Sequence, residues 1–134
     1  MTRRRSPADF TDFELGQIRR RDFGRCVVCG STEVTTQHRV AKGSGGLGTK
    51  AVKLTPADGL LLCYYHNADA EGRGQERAKR CGWKVIRFSS MPCDEIPYYD
   101  AVSGNWYLPD VYGGRRWVDP GWAAEQVRLA NELP

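Results

Sequence analysis

The sequence predicts a single α+β domain in which a zinc-stapled core is followed by a β-hairpin and a helix. Its 134 residues suit one hydrophobic core. Two short Cys/His motifs lie far apart in the chain, and helix-start signals stand near both of its ends. Within the single domain, 1–134, we expect a basic arm over 1–10, a zinc-bound core over 11–90 and a hairpin-and-helix extension over 91–134.

The first elements are predicted from local capping and β-branched residues. Thr11 and Glu14 have the spacing of a capping box, so a helix is expected to begin there and to run to about Arg21. The stretch 33–38 is rich in β-branched residues and predicts a strand that ends at His38. A glycine-rich loop over 42–48 follows, because no regular element persists in such a sequence.

The middle of the chain predicts a helix and one more strand. The apolar run over 58–62 leads into Cys63. From residue 64 to about 79 the composition is typical of a helix, although two glycines weaken its centre. The alternating residues 83–88 predict a strand that follows this helix.

The C-terminal extension is predicted to be a hairpin and a helix. Tyr112-Gly113-Gly114 separates two strand-like segments, 106–111 and 115–118, and glycines accept the positive φ angles of a tight hairpin turn. Asp119-Pro120 then predicts an N-cap and first helical residue, with the helix ending near Leu133.

The charge of the chain is unevenly distributed. Residues 1–89 contain 17 Lys and Arg against 9 Asp and Glu, whereas residues 90–134 contain 3 against 7. A basic surface attracts a polyanion through counterion release, so the first two thirds favour a nucleic-acid partner. Solvated helix faces are an equally good interpretation of any single basic cluster.

The cysteine content favours metal binding over disulfides. The sequence shows neither a membrane span nor an apolar signal segment, so we expect a cytoplasmic protein, in which thiols stay reduced. Five cysteines cannot all pair. Cys81 and Cys93 have no second ligand at close spacing and are interpreted as free or buried thiols.

The two Cys/His motifs predict a structural zinc site. Cys26 and Cys29 form a CxxC pair, and Cys63 and His66 form a CxxH pair, with 33 residues between the two pairs. Two such pairs supply the four ligands of a tetrahedral Cys3His site. Because four protein ligands leave no open position for water, this ion is expected to stabilise the fold, and any chemistry must come from other residues.

His38 is the candidate general base. If His66 binds zinc, His38 is the one histidine left in the sequence, and its unperturbed pKa suits proton transfer near neutral pH. It ends the predicted strand, just before the glycine-rich loop. An isolated histidine of this kind is more often an ordinary surface residue.

These motifs together resemble a known nuclease family. The residues that carry the resemblance are RDFGRCVVCG over 21–30, QHRVAKGSGG over 37–46 and PADGLLLCYYHN over 56–67. They are similar to the HNH (ββα-metal, His-Me finger) endonucleases, and closest in style to the small stand-alone HNH proteins of actinobacterial phages. The resemblance covers about residues 14–88 and implies a ββα-metal core.

The resemblance implies a role for each matching residue. His38 matches the general base that activates water, and Asn67 matches the helix residue that holds a divalent ion such as Mg²⁺ or Mn²⁺. Asp58 matches the middle Asn, which steadies the histidine loop. Gln37 stands where a metal-binding Asp or His is usual, and a neutral oxygen binds a hard cation less strongly.

The HNH interpretation also implies phosphate contacts and leaves alternatives open. The basic residues expected to contact DNA are Arg39, Lys42, Lys50, Arg73 and Arg77. The first hypothesis is a nuclease that nicks or cuts DNA. The second is an HNH-like zinc module that binds DNA without cutting, for which Gln37 and Asp58 are the best support. The third is a phage protein that binds a host protein through residues 91–134.

Overall fold

The computed structural model describes residues 9–40 and 53–132, so most of the predicted basic arm, the glycine-rich loop, Lys42 and Lys50 lie outside the described residues. In the described ranges the chain is α+β, with four α-helices, one two-stranded sheet and one three-stranded sheet. In chain order, the elements are α1 (Asp12–Arg21), β1 (Val34–His38), β2 (Gly59–Cys63), α2 (Tyr64–Glu71), α3 (Gln75–Arg80), β3 (Tyr98–Asp100), β4 (Asn105–Pro109), β5 (Arg115–Val118) and α4 (Pro120–Ala130).

Helix α1 begins at the predicted capping box. The Thr11 hydroxyl oxygen accepts from the backbone N–H of Glu14 at 3.1 Å, and the Thr11 N–H donates to the Glu14 carboxylate at 2.8 Å. Two N–H groups that the helix itself leaves unpaired are satisfied in this way. The predicted start and end of this helix are therefore confirmed.

The capping box gives a first prediction. Thr11→Ala removes the acceptor for the Glu14 N–H, so we expect a loss of about 1 kcal/mol in the free energy of unfolding. Thr11→Ser keeps the hydroxyl and is expected to stay close to the parent. Urea denaturation of the three proteins measures the difference. Equal stability of the alanine and serine variants would contradict the role given to this cap.

Strands β1 and β2 form an antiparallel pair that lies between two helices. Val34 pairs with Cys63 at one end and His38 pairs with Gly59 at the other. Every residue of β2 is buried. Its two faces contribute to different cores, because Leu61 belongs to the cluster around α1 whereas Leu60 and Leu62 belong to the cluster that includes Ala70 of α2.

Gly59 is required by the packing of α1 on this sheet. A Cβ atom at position 59 would lie 2.7 Å from the Phe10 ring and 2.9 Å from the Ile18 side chain. Both distances are shorter than any ordinary carbon contact. Glycine therefore allows Phe10 to approach the end of the sheet where His38 lies.

The predicted helix over 64–79 is interrupted. Helix α2 ends at Glu71, and α3 begins at Gln75 after a turn that contains Gly72 and Gly74. A Cβ atom at Gly74 would lie 1.9 Å from the Asp69 carboxylate. The two glycines that weaken the predicted helix are thus the residues at which the chain turns.

The prediction of a strand over 83–88 is wrong. Only Val85 forms a bridge there, to Val40, and its N–H donates to the Arg39 carbonyl at 2.8 Å. The next N–H, of Ile86, donates to the side chain of Asn131 at 2.9 Å. The backbone partners come from a loop and from a side chain, so the alternating sequence does not extend into a sheet.

The three-stranded sheet contains the predicted hairpin and one strand that was not predicted. Strands β4 and β5 pair antiparallel, with Tyr107 opposite Trp117, and β3 pairs with β4 on the other side. Helix α4 begins at Pro120, where the Asp119 carboxylate accepts from the Trp122 N–H at 2.9 Å. It packs through Val127 and Ala130. The hairpin and the start of α4 are confirmed.

A buried polar network joins this sheet to α1. The Arg21 guanidinium donates to both Asp22 carboxylate oxygens at 2.9 Å, and the Tyr98 hydroxyl donates to the same carboxylate at 2.6 Å. Burial, followed by the charge of Asp22, raises the pKa of Tyr98 above its ordinary value. The hydroxyl therefore remains a donor, and β3 is fixed to the end of α1.

No helix within the two described stretches is both long and apolar enough to cross a bilayer.

Candidate metal centre and active site

The two Cys/His motifs converge on one point. Cys26, Cys29, Cys63 and His66 each offer a ligand atom, and these four atoms lie within 4.8 Å of one another. The first pair lies on the turn between α1 and β1, and the second lies where β2 passes into α2. These residues are positioned to hold one metal ion, as the sequence predicted.

The first ligand pair is shaped by a tight turn. Gly30 has φ +80° and donates its N–H to the Cys26 carbonyl at 2.9 Å, which closes the loop around Cys29. The Val28 N–H points at the Cys26 sulfur at 3.4 Å. Burial raises the pKa of the Cys26 thiol, and the amide groups directed at its sulfur oppose that rise, because they stabilise the thiolate form that binds metal.

The second pair uses a helix start. Cys63 is the N-cap of α2, and His66 follows in the first turn. Burial raises the pKa of Cys63, but hydrogen bonds from the His66 backbone and from the neighbouring thiols outweigh that effect and leave the pKa below its ordinary value. Burial and the positive charge of Arg77 lower the pKa of His66, which favours the neutral imidazole.

Three of the six separations between the ligand atoms match a tetrahedral ion of zinc size. Zinc bonds of about 2.3 Å to sulfur and about 2.0 Å to nitrogen place neighbouring ligands roughly 3.5 to 3.8 Å apart. The Cys29 and Cys63 sulfurs are 3.8 Å apart, and His66 Nδ1 lies 3.3 Å from Cys63 Sγ and 3.8 Å from Cys26 Sγ. Three soft sulfurs and one imidazole are a common zinc ligand set.

His38 lies at the open end of the two-stranded sheet. It is the last residue of β1, and its ring stacks on Phe10 with ring centroids 4.9 Å apart. The register puts it opposite Gly59, on the face that packs against α1. The side chain is partly buried and retains access to solvent.

Gln37 and Asn67 belong to the other face of the same sheet. Gln37 pairs with Leu60, whose side chain packs in the cluster with Ala70 of α2. Asn67 is half-buried and precedes Ala70 by three residues, so both lie on the side of the helix that faces the sheet. The Gln37 amide donates to the Thr35 hydroxyl. His38 therefore lies on one face of the sheet, and the two candidate ligands of a catalytic ion lie on the other.

Asp58 holds the segment that precedes β2. Its carboxylate accepts from the Thr55 N–H at 2.7 Å and from the Thr55 hydroxyl at 3.3 Å. Its backbone carbonyl accepts from the N–H of Arg39 at 2.8 Å. Since Arg39 directly follows His38, Asp58 fixes the backbone next to the histidine through its main chain.

Arg39 is not a phosphate contact, which corrects the sequence-based expectation. Its side chain is 1% exposed, and its guanidinium donates five hydrogen bonds to backbone carbonyls. Those carbonyls belong to Ala57, Gly82, Cys93, Ile96 and Pro97. The residue instead ties the core to the C-terminal extension.

Of the other four predicted phosphate contacts, two lie within the described residues and two lie outside them. Arg73 and Arg77 are both exposed, and Arg77 is close enough to His66 for its charge to lower the pKa of that ligand. The Arg77 guanidinium lies 5.2 Å from the centre of the Trp83 ring. Both therefore remain available to an anion. Lys42 and Lys50 lie outside the residues that the structure describes.

The remaining cysteines are not part of the metal centre. Cys93 is buried beside Asp58, and burial raises the pKa of its thiol to about 12. Burial also raises the pKa of Cys81. Both thiols are therefore protonated at neutral pH, in agreement with their interpretation as free thiols.

Comparison of the chain with protein-family models, with curated proteins and with solved structures finds no match in any of the three.

Proposed function

We propose that this chain is an HNH-type endonuclease that hydrolyses DNA phosphodiester bonds with a divalent metal ion, and that a structural zinc at the Cys3His site holds its active site together. The observation that carries the proposal is the order of its parts. An antiparallel strand pair is followed directly by a helix, with His38 at the end of β1 and Asn67 in the first turns of α2.

The zinc proposal rests on geometry. The printed ligand separations fit a tetrahedral ion, and the four ligands come from two segments with 33 residues between them in the sequence. Such an ion would fix the turn after α1 to the start of α2. It would thereby set the position of Asn67, which follows the ligand His66 in the sequence.

The proposed chemistry uses the two faces of the sheet end. His38 takes the proton from the attacking water on the α1 side. Asn67 and Gln37 would hold the catalytic ion on the α2 side, and that ion would stabilise the charge on the phosphate and the leaving oxygen. Hydrolysis of a phosphodiester is an in-line displacement, in which the nucleophile and the leaving oxygen lie on opposite sides of the phosphorus. The sheet separates the base from the two ligands, so the proposal requires the phosphate to lie at the open end of the sheet, beside His38, where both could reach it.

The backbone around His38 supports the role of a positioned base. Phe10 packs on one side of its ring, and the hydrogen bond from the Arg39 N–H to the Asp58 carbonyl fixes the next residue. A base held by packing and by its neighbours loses little entropy when the substrate binds. Arg73 and Arg77 supply positive charge for the DNA backbone.

A plasmid-nicking assay tests this function. The parent is expected to cut in the presence of Mg²⁺ or Mn²⁺, and His38→Ala is expected to cut about 10² to 10⁴ times more slowly, because it removes the general base. The matched control is Thr36→Ala, since Thr36 lies two residues earlier on the same face of β1 and takes no part in the proposed chemistry. Absence of metal-dependent cutting, or equal cutting by the parent and His38→Ala, would reject the nuclease proposal.

A second function is favoured by one specific observation. Gln37 provides a neutral oxygen where a charged ligand is expected, and its amide already bonds to Thr35. A chain with a weakened catalytic site would act as a zinc-dependent DNA-binding module. Gel-shift titrations at two salt concentrations identify this case, because phosphate contacts predict an affinity that falls steeply with salt. Salt-dependent binding without cutting would support this second function.

A further inference from the structure

Helix α1 ends in a motif that normally requires glycine. The Phe23 N–H donates to the Arg20 carbonyl at 3.2 Å, and the Gly24 N–H donates to the Arg19 carbonyl at 2.8 Å. These two bonds define a Schellman motif with Phe23 at the position that adopts left-handed geometry. Phe23 has φ +60°, and within the described residues it is the one non-glycine residue with a positive φ.

Burial does not compensate for the strain at Phe23. A bulky residue with this φ is an outlier, because its Cβ crowds the backbone. Yet the side chain is 67% exposed. A strained backbone that presents an aromatic ring to solvent indicates that the ring itself is used.

Further aromatic and arginine side chains surround this ring. The guanidinium of Arg25 lies 5.5 Å from the centre of the Phe23 ring, and that of Arg115 lies 5.3 Å from it. Arg115 also lies 3.8 Å from the centre of the Tyr107 ring. Tyr107 pairs with Trp117 across the hairpin, and Trp117 is 56% exposed. We call Phe23, Trp117, Arg19 and Arg25 the aromatic–arginine surface.

The charge of this surface is not neutralised. Arg115 is paired with Asp100 at 3.2 Å. In contrast, Arg19 and Arg25 have no carboxylate within ion-pair distance among the described residues, and a guanidinium nitrogen of Arg19 lies over Gly24, beside Phe23. Two unpaired cations therefore flank an exposed ring.

We propose that the aromatic–arginine surface binds single-stranded nucleic acid. Exposed aromatic rings stack with unpaired bases, and arginines beside them bind the phosphates that join those bases. A duplex hides the faces of its bases, so a fully paired DNA cannot use the rings in this way. The surface shares no residue with the proposed catalytic site, and its proposed binding stands whether or not the chain cuts DNA.

Fluorescence anisotropy with a labelled oligothymidylate tests the proposal. The full chain is used with its metal centre intact and without added Mg²⁺ or Mn²⁺. Phe23→Gly is expected to raise the Kd about tenfold, because it removes one stacking platform. Trp117→Thr, which keeps a good β-strand residue in β5, is expected to have a similar effect. Phe88→Ala is the matched control, since Phe88 is also an exposed ring with an arginine beside it, but belongs to a different region.

Thermal melting separates lost binding from lost folding. Glycine is the preferred residue at the position of Phe23, so Phe23→Gly is expected to melt at or above the temperature of the parent. Weaker binding by a protein of undiminished stability supports the proposal. A Kd that Phe23→Gly and Trp117→Thr leave unchanged, or tighter binding of a duplex than of the single strand, would overturn it.

Discussion

Replacement of Cys63 by serine is expected to unfold the protein at temperatures where the parent is fully folded. In the proposed structure, one zinc ion joins the turn after α1 to the start of α2, and structural zinc contributes about 10 to 16 kcal/mol to folding in small zinc domains. That amount is comparable with the whole stability of an ordinary domain, about 5 to 15 kcal/mol. Circular dichroism during heating measures the loss.

The matched control for this experiment is Cys81→Ser. Cys81 is a half-buried free thiol that packs beside the same core, but it has no place in the Cys3His cluster. It is therefore expected to change the melting temperature by a few degrees at most. If Cys63→Ser and Cys81→Ser lose the same stability, the metal does not hold the fold together.

Replacement of Arg39 by methionine is expected to cost about 3 to 5 kcal/mol of stability. Methionine fills much of the same space but removes all five hydrogen bonds that the guanidinium donates, and their carbonyl acceptors lie in the interior. Removal of one partner of a buried charged network leaves the others desolvated without compensation. Chemical denaturation gives the free energy directly.

Two further variants sharpen the Arg39 prediction. Arg39→Lys keeps the charge, but a lysine has three donors on one nitrogen and cannot reach carbonyls that surround a planar guanidinium, so it is also expected to be destabilised. Arg20→Met changes an exposed arginine of α1 and is expected to fall within about 0.5 kcal/mol of the parent. If Arg39→Met is as stable as Arg20→Met, the hydrogen bonds from Arg39 to the five carbonyls contribute little to the stability of the fold.

The parts of the fold that follow from local chemistry were predictable from the sequence. Thr11 and Glu14 form the predicted capping box, and Asp119 caps α4 as its sequence indicates. The glycines after Tyr112 lie in the turn of the predicted hairpin. Each of these signals is read over a few neighbouring residues, and the competing conformations have clear steric or hydrogen-bonding costs.

The metal centre was predictable for a different reason. The two pairs are far apart in sequence, but each pair by itself has the spacing of a metal-binding turn. Each pair supplies only two of the four ligands that a tetrahedral ion needs. The sequence therefore predicts that the two pairs come together. The structure brings Cys26 and Cys29 together with Cys63 and His66, as expected.

Features that depend on distant packing were not predictable. The sequence around Arg39 resembles an exposed basic loop, and nothing local shows that carbonyls from five other residues will surround its guanidinium. Strand β3 was missed because it has only three residues and pairs through tertiary contacts. The alternating residues after Trp83 met no partner strand, so their β pattern gave only the bridge at Val85.

X-ray absorption at the zinc edge tests the central claim most directly, because it reports which atoms surround the ion in solution. The account predicts three sulfur neighbours at about 2.3 Å and one nitrogen at about 2.0 Å. A shell made of oxygen and nitrogen atoms alone, or one with fewer than three sulfurs, would contradict the convergence of Cys26, Cys29, Cys63 and His66 on a single ion.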